Sequence, residues 1–437
     1  MNELVPERTH GSSGVAKEVG TYTVGKRAGL FVLTVLFFVW GFITSLNDIL
    51  VPHLKSAFEL NYTKAILVQF SFFAAYFLVS VPAGLLIRRV GYQLGIVLGL
   101  LIACAGCLLF IPAARMHVYM MFLLGLFVLA SGIAILQVSA NPYVIALGRP
   151  ESAPSRLNLT QAFNSLGTSL APIFGALVIF SAGAGIVNFS SIQPGVNYPA
   201  SEAASVEIPY FWLSVVLLVL VAFFSWVSLP SIKVEEELPE ESSARAFGIF
   251  EFLLFPRLAL GAVAIFFYVG AEVAIGSFLV SYLTEKTVGD IGVGEAARYV
   301  SLYWAGAMIG RFIGAGLLKF VRPGALLATC GFSAVLLISL SITSEGPLAV
   351  WTIVAVGLCN SIMFPTIFSL ALGGLRQFTS QGSGVLCMAI VGGAIVPLLQ
   401  GITADSAGIR LSFVVPLICY CYIVYYGAFS PFLRNRK

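Results

Sequence analysis

Two acidic residues stand in stretches that are otherwise almost free of charge. Asp48 sits in FFVWGFITSLNDILVPHL and Glu272 in FFYVGAEVAIGSFLV. A carboxylate at the centre of an apolar spanning helix costs about 2.5–3.5 kcal/mol on insertion scales, so such a group faces a bundle interior or a wetted cavity. There it can take up a proton, or bind a hard cation such as sodium through oxygen, with Asn47 as a neighbouring oxygen donor. Plainer roles compete. Asp48 could cap a kink at Pro52 near a helix end, and Glu272 could be half of a structural ion pair with Arg311.

Amides gather in the same kind of segment. Gln137 and Asn141 are spaced i, i+4 and share a helix face. Asn158, Gln161, Ser165 and Thr168 draw one polar stripe at helical spacing, with Asn164 beside it. Asn360 lies in LCNSIMFPTIF, and Gln69 adds an amide in the second apolar stretch. Each of these could equally be interhelical glue, worth about 0.6 kcal/mol per contact. Aromatic residues run through the same segments, among them Phe42, Tyr268 and Phe364. Most aromatics in such a chain pack or face lipid, but a ring beside amides suits a neutral polyhydroxylated ligand. Its hydroxyls take amide and carboxylate partners while its C–H face rests on the ring.

The elements that must position these groups are transmembrane helices. Of 437 residues 59% are hydrophobic and 10% charged, with a mean hydropathy of +0.96. Apolar stretches of roughly 20 residues, each enough to cross about 30 Å of hydrocarbon, account for most of the chain. Spans are expected near 28–54, 66–87, 94–113, 118–147, 157–181, 209–230, 257–283, 296–319, 324–343, 347–372, 382–403 and 411–433. With both ends cytoplasmic, about fifteen Lys and Arg fall in or near cytoplasmic loops against about six outside, which fixes the orientation.

Residues 1–27 are polar, show no signal-sequence pattern and read as a cytoplasmic tail. The hydrophilic stretch IKVEEELPEESSARAF parts the chain nearly in half, so the expected organisation is an N-terminal bundle at 28–230, a cytoplasmic linker at 231–256 and a C-terminal bundle at 257–437. The halves echo one another. AGLLIRRVGYQLG has a counterpart in GRFIGAGLLKFVRPG, and LQVSANPYV one in LCNSIMFPTIF, as expected of repeats with a site between them near the bilayer midplane and helices broken by Pro and Gly.

Other chemistries find little support. The net charge of +4 comes from scattered basic residues, which argues against nucleic acid as a partner. All seven cysteines lie in apolar segments, and Cys104 and Cys107, although spelling CxxC, have no second pair or nearby histidine to make a metal site. His10, His53 and His117 stand far apart, so an enzyme such as a membrane-embedded transferase lacks its constellation. No cofactor is expected. A nontransporting sugar sensor would carry an extra soluble domain, and drug export is disfavoured by the amide-rich interior.

The strings WGFITSLNDILVPHL, FAAYFLVSVPAG, LQVSANPYV, RLNLTQAFNSLGT, YVGAEVAIGSFLVSYL, NSIMFPTIFSLALGGL and QGSGVLCMAIVGGAIVPLLQG together resemble the fucose:proton symporter family of the major facilitator superfamily. The resemblance runs from about residue 28 to 430. It implies a sugar symporter of two pseudo-symmetric six-helix bundles working by alternating access. It also implies that Asp48 is the essential span-one acid and that Gln161 and Asn164, in the family's QxFN, contact sugar.

Where the family's fucose carriers have a glutamate in LETAANP, this chain has Gln137 in LQVSANP. That version is similar to the glucose/galactose, mannose and N-acetylglucosamine carriers, some of them sodium-driven. Glu272, where fucose carriers tend to have glutamine, moves a second carboxylate to the other half. The expectation is a monomeric, lipid-embedded inner-membrane importer of a neutral hexose. It would be coupled to H+ or Na+ at Asp48, the nearest alternative being a proton-coupled L-fucose permease.

Overall fold

The computed structural model describes residues 25, 28–45, 62–116, 118–182, 201–227, 229–230 and 251–432. Among these residues the chain is helical, and ten helices are long and apolar enough to cross a membrane. They are α1 (Ala28–Ser45), α2 (Leu67–Val90 within a helix starting at Tyr62), α3 (Tyr92–Ala113), α4 (Tyr119–Ala146), α7 (Pro256–Leu283), α8 (Val293–Leu317), α9 (Pro323–Thr343), α10 (Pro347–Leu372), α11 (Arg376–Ala407) and α12 (Ile409–Phe429). α5 (Ala153–Ala182) and α6 (Ser201–Trp226) complete the order. The last part of the first expected span, 46–54, and residues 231–250 of the linker expected at 231–256 lie outside the described residues.

Local chemistry sets the helix ends. α7, α9 and α10 start on Pro256, Pro323 and Pro347, where a missing N–H leaves no bond unmade. α2 turns into α3 at Gly91, whose φ of +84° lies in the left-handed region that other residues resist. At the neighbouring turn Arg156 donates to the Ile145 carbonyl at 2.7 Å and the Val144 carbonyl at 3.3 Å, so a cation caps the end of α4.

Two spans are broken, in keeping with the expectation of helices interrupted by Pro and Gly. α10 comes in two pieces, Pro347–Asn360 and Met363–Leu372. α11 has a tighter turn at Ala389–Val391 between Thr379–Met388 and Gly392–Ala407. The first break has a plain cause. Pro365 has no N–H to give the carbonyl four residues back, Ser361, and its ring crowds that carbonyl. Backbone freed in this way needs other partners, because lipid offers none.

At three of the interior prolines the freed carbonyl is taken by a side chain from another helix. Pro142 of α4 frees Val138, whose carbonyl accepts from Ser383 Oγ of α11 at 3.0 Å. Pro172 of α5 frees Thr168, whose carbonyl accepts from Ser45 Oγ of α1 at 2.9 Å. Pro365 of α10 frees Ser361, whose carbonyl accepts from Arg311 Nε of α8 at 3.3 Å.

α1 and α5 are packed backbone to backbone. A Cβ on Gly41 would sit 2.8 Å from the Asn164 carbonyl carbon, and one on Gly167 would sit 2.9 Å from the Phe42 nitrogen, so only glycine fits either position. Helices of the two sequence halves also meet directly. α2 and α4 pack on α11, and α5 packs on α8 and α10. Ser155 of α5 donates to the Ala315 carbonyl of α8 at 2.6 Å, and the Phe163 and Phe312 rings meet edge to face at 5.6 Å.

Candidate functional site

α4 and α5 bring the expected amides together. Gln137 Nε2 donates to the Tyr76 hydroxyl of α2 at 2.9 Å, while its Oε1 is buried without a partner among the described residues. One turn on, Asn141 accepts from Gln161 Nε2 at 3.5 Å, and its own Nδ2 is buried and unpartnered. Asn141 is wholly buried and Gln161 nearly so. One face of α4 therefore presents an unmet acceptor and an unmet donor one turn apart. A buried polar atom left unpaired costs about 1–3 kcal/mol, so each of these two atoms favours a partner that supplies the missing half of its hydrogen bond.

The remaining members of the polar stripe differ in duty. Asn164 Nδ2 donates to the Phe37 carbonyl at 2.9 Å, which ties α5 to α1. Ser165 donates to the Gln161 carbonyl at 3.0 Å and receives Arg311 Nη1 from α8. Asn158 is fully buried beside Gly314 of α8, with both amide atoms unpartnered.

In the second half the centre is a connected network. The Tyr268 hydroxyl donates to Glu272 Oε1 at 2.7 Å, one helical turn away, and lies 3.1 Å from the Asn360 carbonyl at the α10 break. Arg311 Nη2 stands 3.7 Å from the same Glu272 oxygen, with both side chains largely buried. Asn360 Nδ2 donates to Tyr303 at 2.7 Å, and its Oδ1 accepts from Tyr420 at 2.6 Å. This places Asn360, with no exposed surface, in the packing of α8, α10 and α12. Phe364 is half-buried, its ring 6.5 Å from that of Tyr268 and 5.6 Å from that of Phe368.

Not every expected residue joins these clusters. Asp48 and Asn47 lie outside the described residues. Gln69 is exposed near the start of α2, and Phe42 is half-buried on α1. The Tyr303–Tyr420 pair around Asn360 had no sign in the sequence. The signal for Ser383 and Arg311 is indirect, lying in the carbonyls four residues before Pro142 and Pro365. Among the described residues no group of three His, Cys, Asp or Glu could hold a metal ion.

What the arrangement can do is bind a neutral, hydroxyl-rich molecule by paired donor and acceptor contacts, next to an ion-paired carboxylate, between helices interrupted by proline. The comparisons agree in kind. The Major Facilitator Superfamily model matches residues 32–389. A glucose/galactose transporter of Brucella abortus is 53% identical over 395 residues, covering 90% of this chain and 92% of that one. The L-fucose-proton symporter of Escherichia coli is 33% identical over 406 residues, covering 91% and 92%. A crystal structure of a Major Facilitator Superfamily transporter, FucP, in the outward conformation matches with a TM-score of 0.84 at 31% identity, covering 93% of this chain and 99% of that one. The chain belongs to the Major Facilitator Superfamily, and within it to the fucose:proton symporter family of transporters.

Proposed function

We propose that this protein imports a neutral hexose of the glucose or galactose type by alternating access, driven by proton entry. The observation that carries the reading is the face of α4, where Gln137 Oε1 and Asn141 Nδ2 are buried with their hydrogen bonds unmade. A sugar hydroxyl both donates and accepts, so one hexose satisfies the two atoms together. Gln161 lies within reach of Asn141 and is a third contact in this assignment. The 53% identical Brucella relative named a glucose/galactose transporter supports the substrate class.

Asp48 is the coupling group in this proposal. A carboxylate in a spanning helix resists a dry, occluded intermediate while charged, and protonation removes that resistance. One charge moved through 100 mV releases about 2.3 kcal/mol, which supports roughly a fiftyfold sugar gradient at single stoichiometry. The 33% identical relative named a proton symporter supports H+ as the ion. Glu272 is the candidate second acid, held by Tyr268 and Arg311. In this assignment residues 28–230 and 257–437 form the two moving bundles, the protein lies in the inner membrane, and both termini are cytoplasmic.

The test is uptake of labelled hexose into vesicles with proton and sodium gradients imposed separately. Concentrative uptake driven by the proton gradient alone is expected. Uptake driven only by sodium would overturn the ion assignment, and uptake answering neither gradient would overturn coupling itself.

A further inference from the structure

Besides the Ser155–Ala315 bond, the two halves of the molecule are joined by hydrogen bonds onto backbone that proline has set free. On one side Ser383 of α11 donates directly to Val138 of α4, whose bond within its own helix Pro142 removes. On the other side the freed carbonyl is Ser361 of α10, and the facing hydroxyl is Ser165 of α5. Here the contact is relayed, with Arg311 of α8 giving Nε to the Ser361 carbonyl at 3.3 Å and Nη1 to Ser165. The guanidinium's third group, Nη2, points at Glu272 at 3.7 Å.

We propose that these are two matched latches, Ser383–Val138 and Ser165–Arg311–Ser361, that hold the two halves against one another, and that Arg311 is the positioning residue of the second. The inference rests on the alternating-access reading, because only a carrier needs seams that part and re-form.

The physics of the pair follows from what each latch ties together. A freed carbonyl is a fixed acceptor whose own helix cannot satisfy it, so its partner on the facing helix is held by more than chance contact. Each latch crosses between the halves through a single hydroxyl, and parting that hydroxyl leaves the rest of each cluster intact. Arg311 keeps Ser361 and Glu272, both on its own half, and water can replace Ser165. The fork of the guanidinium suits the relay, since three of its donors reach three acceptors on three different helices, which a lysine ammonium on a flexible stem would not hold in register. Glu272 fixes the head of Arg311 and so sets where Ser165 must come to close the seam. The two latches are therefore unequal. The Ser383 latch joins neutral groups, whereas the Arg311 latch is charge-assisted and stronger.

Hydrogen exchange read by mass spectrometry on the full chain in lipid nanodiscs, without sugar, tests this. Wild type is compared with Ser165→Ala, Ser165→Thr, Ser383→Ala, Arg311→Gln and the double variant Arg311→Gln/Glu272→Gln. Ser165→Ala is expected to raise exchange in peptides spanning 153–165 and 308–318 by roughly tenfold, the loss of one charge-assisted bond, with Ser165→Thr restoring it. Ser383→Ala should raise exchange around 134–142 and 380–388 by a smaller factor.

Arg311→Gln alone leaves Glu272 buried and uncompensated and risks misfolding, so the double variant decides the point. It should recover the thermal stability of wild type while its α5 and α8 peptides stay fast. Wild-type exchange in Ser165→Ala would overturn the latch. A double variant that returns to wild-type exchange would also overturn it, since Arg311 would then serve only to neutralise Glu272. The readout needs no substrate, so a failure here is distinct from an absence of sugar uptake in vesicles.

Discussion

Tyr268 donates a hydrogen bond of 2.7 Å to Glu272 from one turn earlier on α7, and the same hydroxyl stands 3.1 Å from the Asn360 carbonyl where α10 breaks. A single side chain thus links the second half's carboxylate to its broken helix. Tyr268→Phe should leave the ring packing intact, strip one bond from Glu272 and orphan the Asn360 carbonyl. The expected cost is about 1–3 kcal/mol of stability, read as a lower midpoint of thermal unfolding in detergent. An unchanged midpoint would mean that water already serves these groups.

Asp48→Asn is expected to abolish concentrative uptake while leaving sugar exchange down an equal gradient. The amide keeps the size of the side chain and loses its titration. Counterflow in vesicles measures exchange, and uptake under an imposed proton gradient measures accumulation. Full accumulation by this variant would remove Asp48 from the coupling role.

Gln137→Leu takes away both the bond to Tyr76 and the unmet acceptor. A site built to hydrogen-bond a hydroxyl loses affinity steeply when one of its own polar groups is removed, here by about 1–3 kcal/mol, or roughly tenfold to a hundredfold in sugar Kd. Asn141→Leu should behave alike. Binding measured by calorimetry across glucose, galactose, mannose, N-acetylglucosamine and fucose checks both. Loss for one sugar only would show which hydroxyl each side chain meets.

Asn158 and Gln381 are buried with every amide atom unpartnered, and neither lies on the α4 face that holds Gln137 and Asn141. Replacing such a group with an apolar one of similar shape removes the desolvation penalty. Asn158→Leu is therefore expected to raise the thermal midpoint and to slow transport, because the amide is satisfied only when water enters. A variant that is both faster and less stable would contradict this.

Much of the architecture could be read from hydropathy alone, since spans of about 20 apolar residues have few ways to fold in lipid. The spans α7, α9 and α10 begin within a residue of their expected starts, because Pro256, Pro323 and Pro347 mark them. The pairing of Gln137 with Asn141 on one face follows from spacing, and its convergence with Gln161 follows from the helical stripe. A break at Pro365 was legible, whereas the division of α10 into two helical pieces was not, because a proline can kink a helix without dividing it. The duty of Asn360 was equally silent. An asparagine in an apolar segment has the same letters whether it meets a ligand or, as here, Tyr303 and Tyr420. Only the third dimension distinguishes the two.

Gly41 and Gly167 let α1 and α5 touch backbone to backbone, and the bonds from Asn164 to Phe37 and from Ser45 to Thr168 pin that contact at two heights. The pair is thus a stiff splint with no room to slide, and Asp48 follows three positions after its Ser45 end in the sequence. Even one added methyl at either glycine would wedge the splint apart, because the nearest atoms it meets are backbone that cannot step aside.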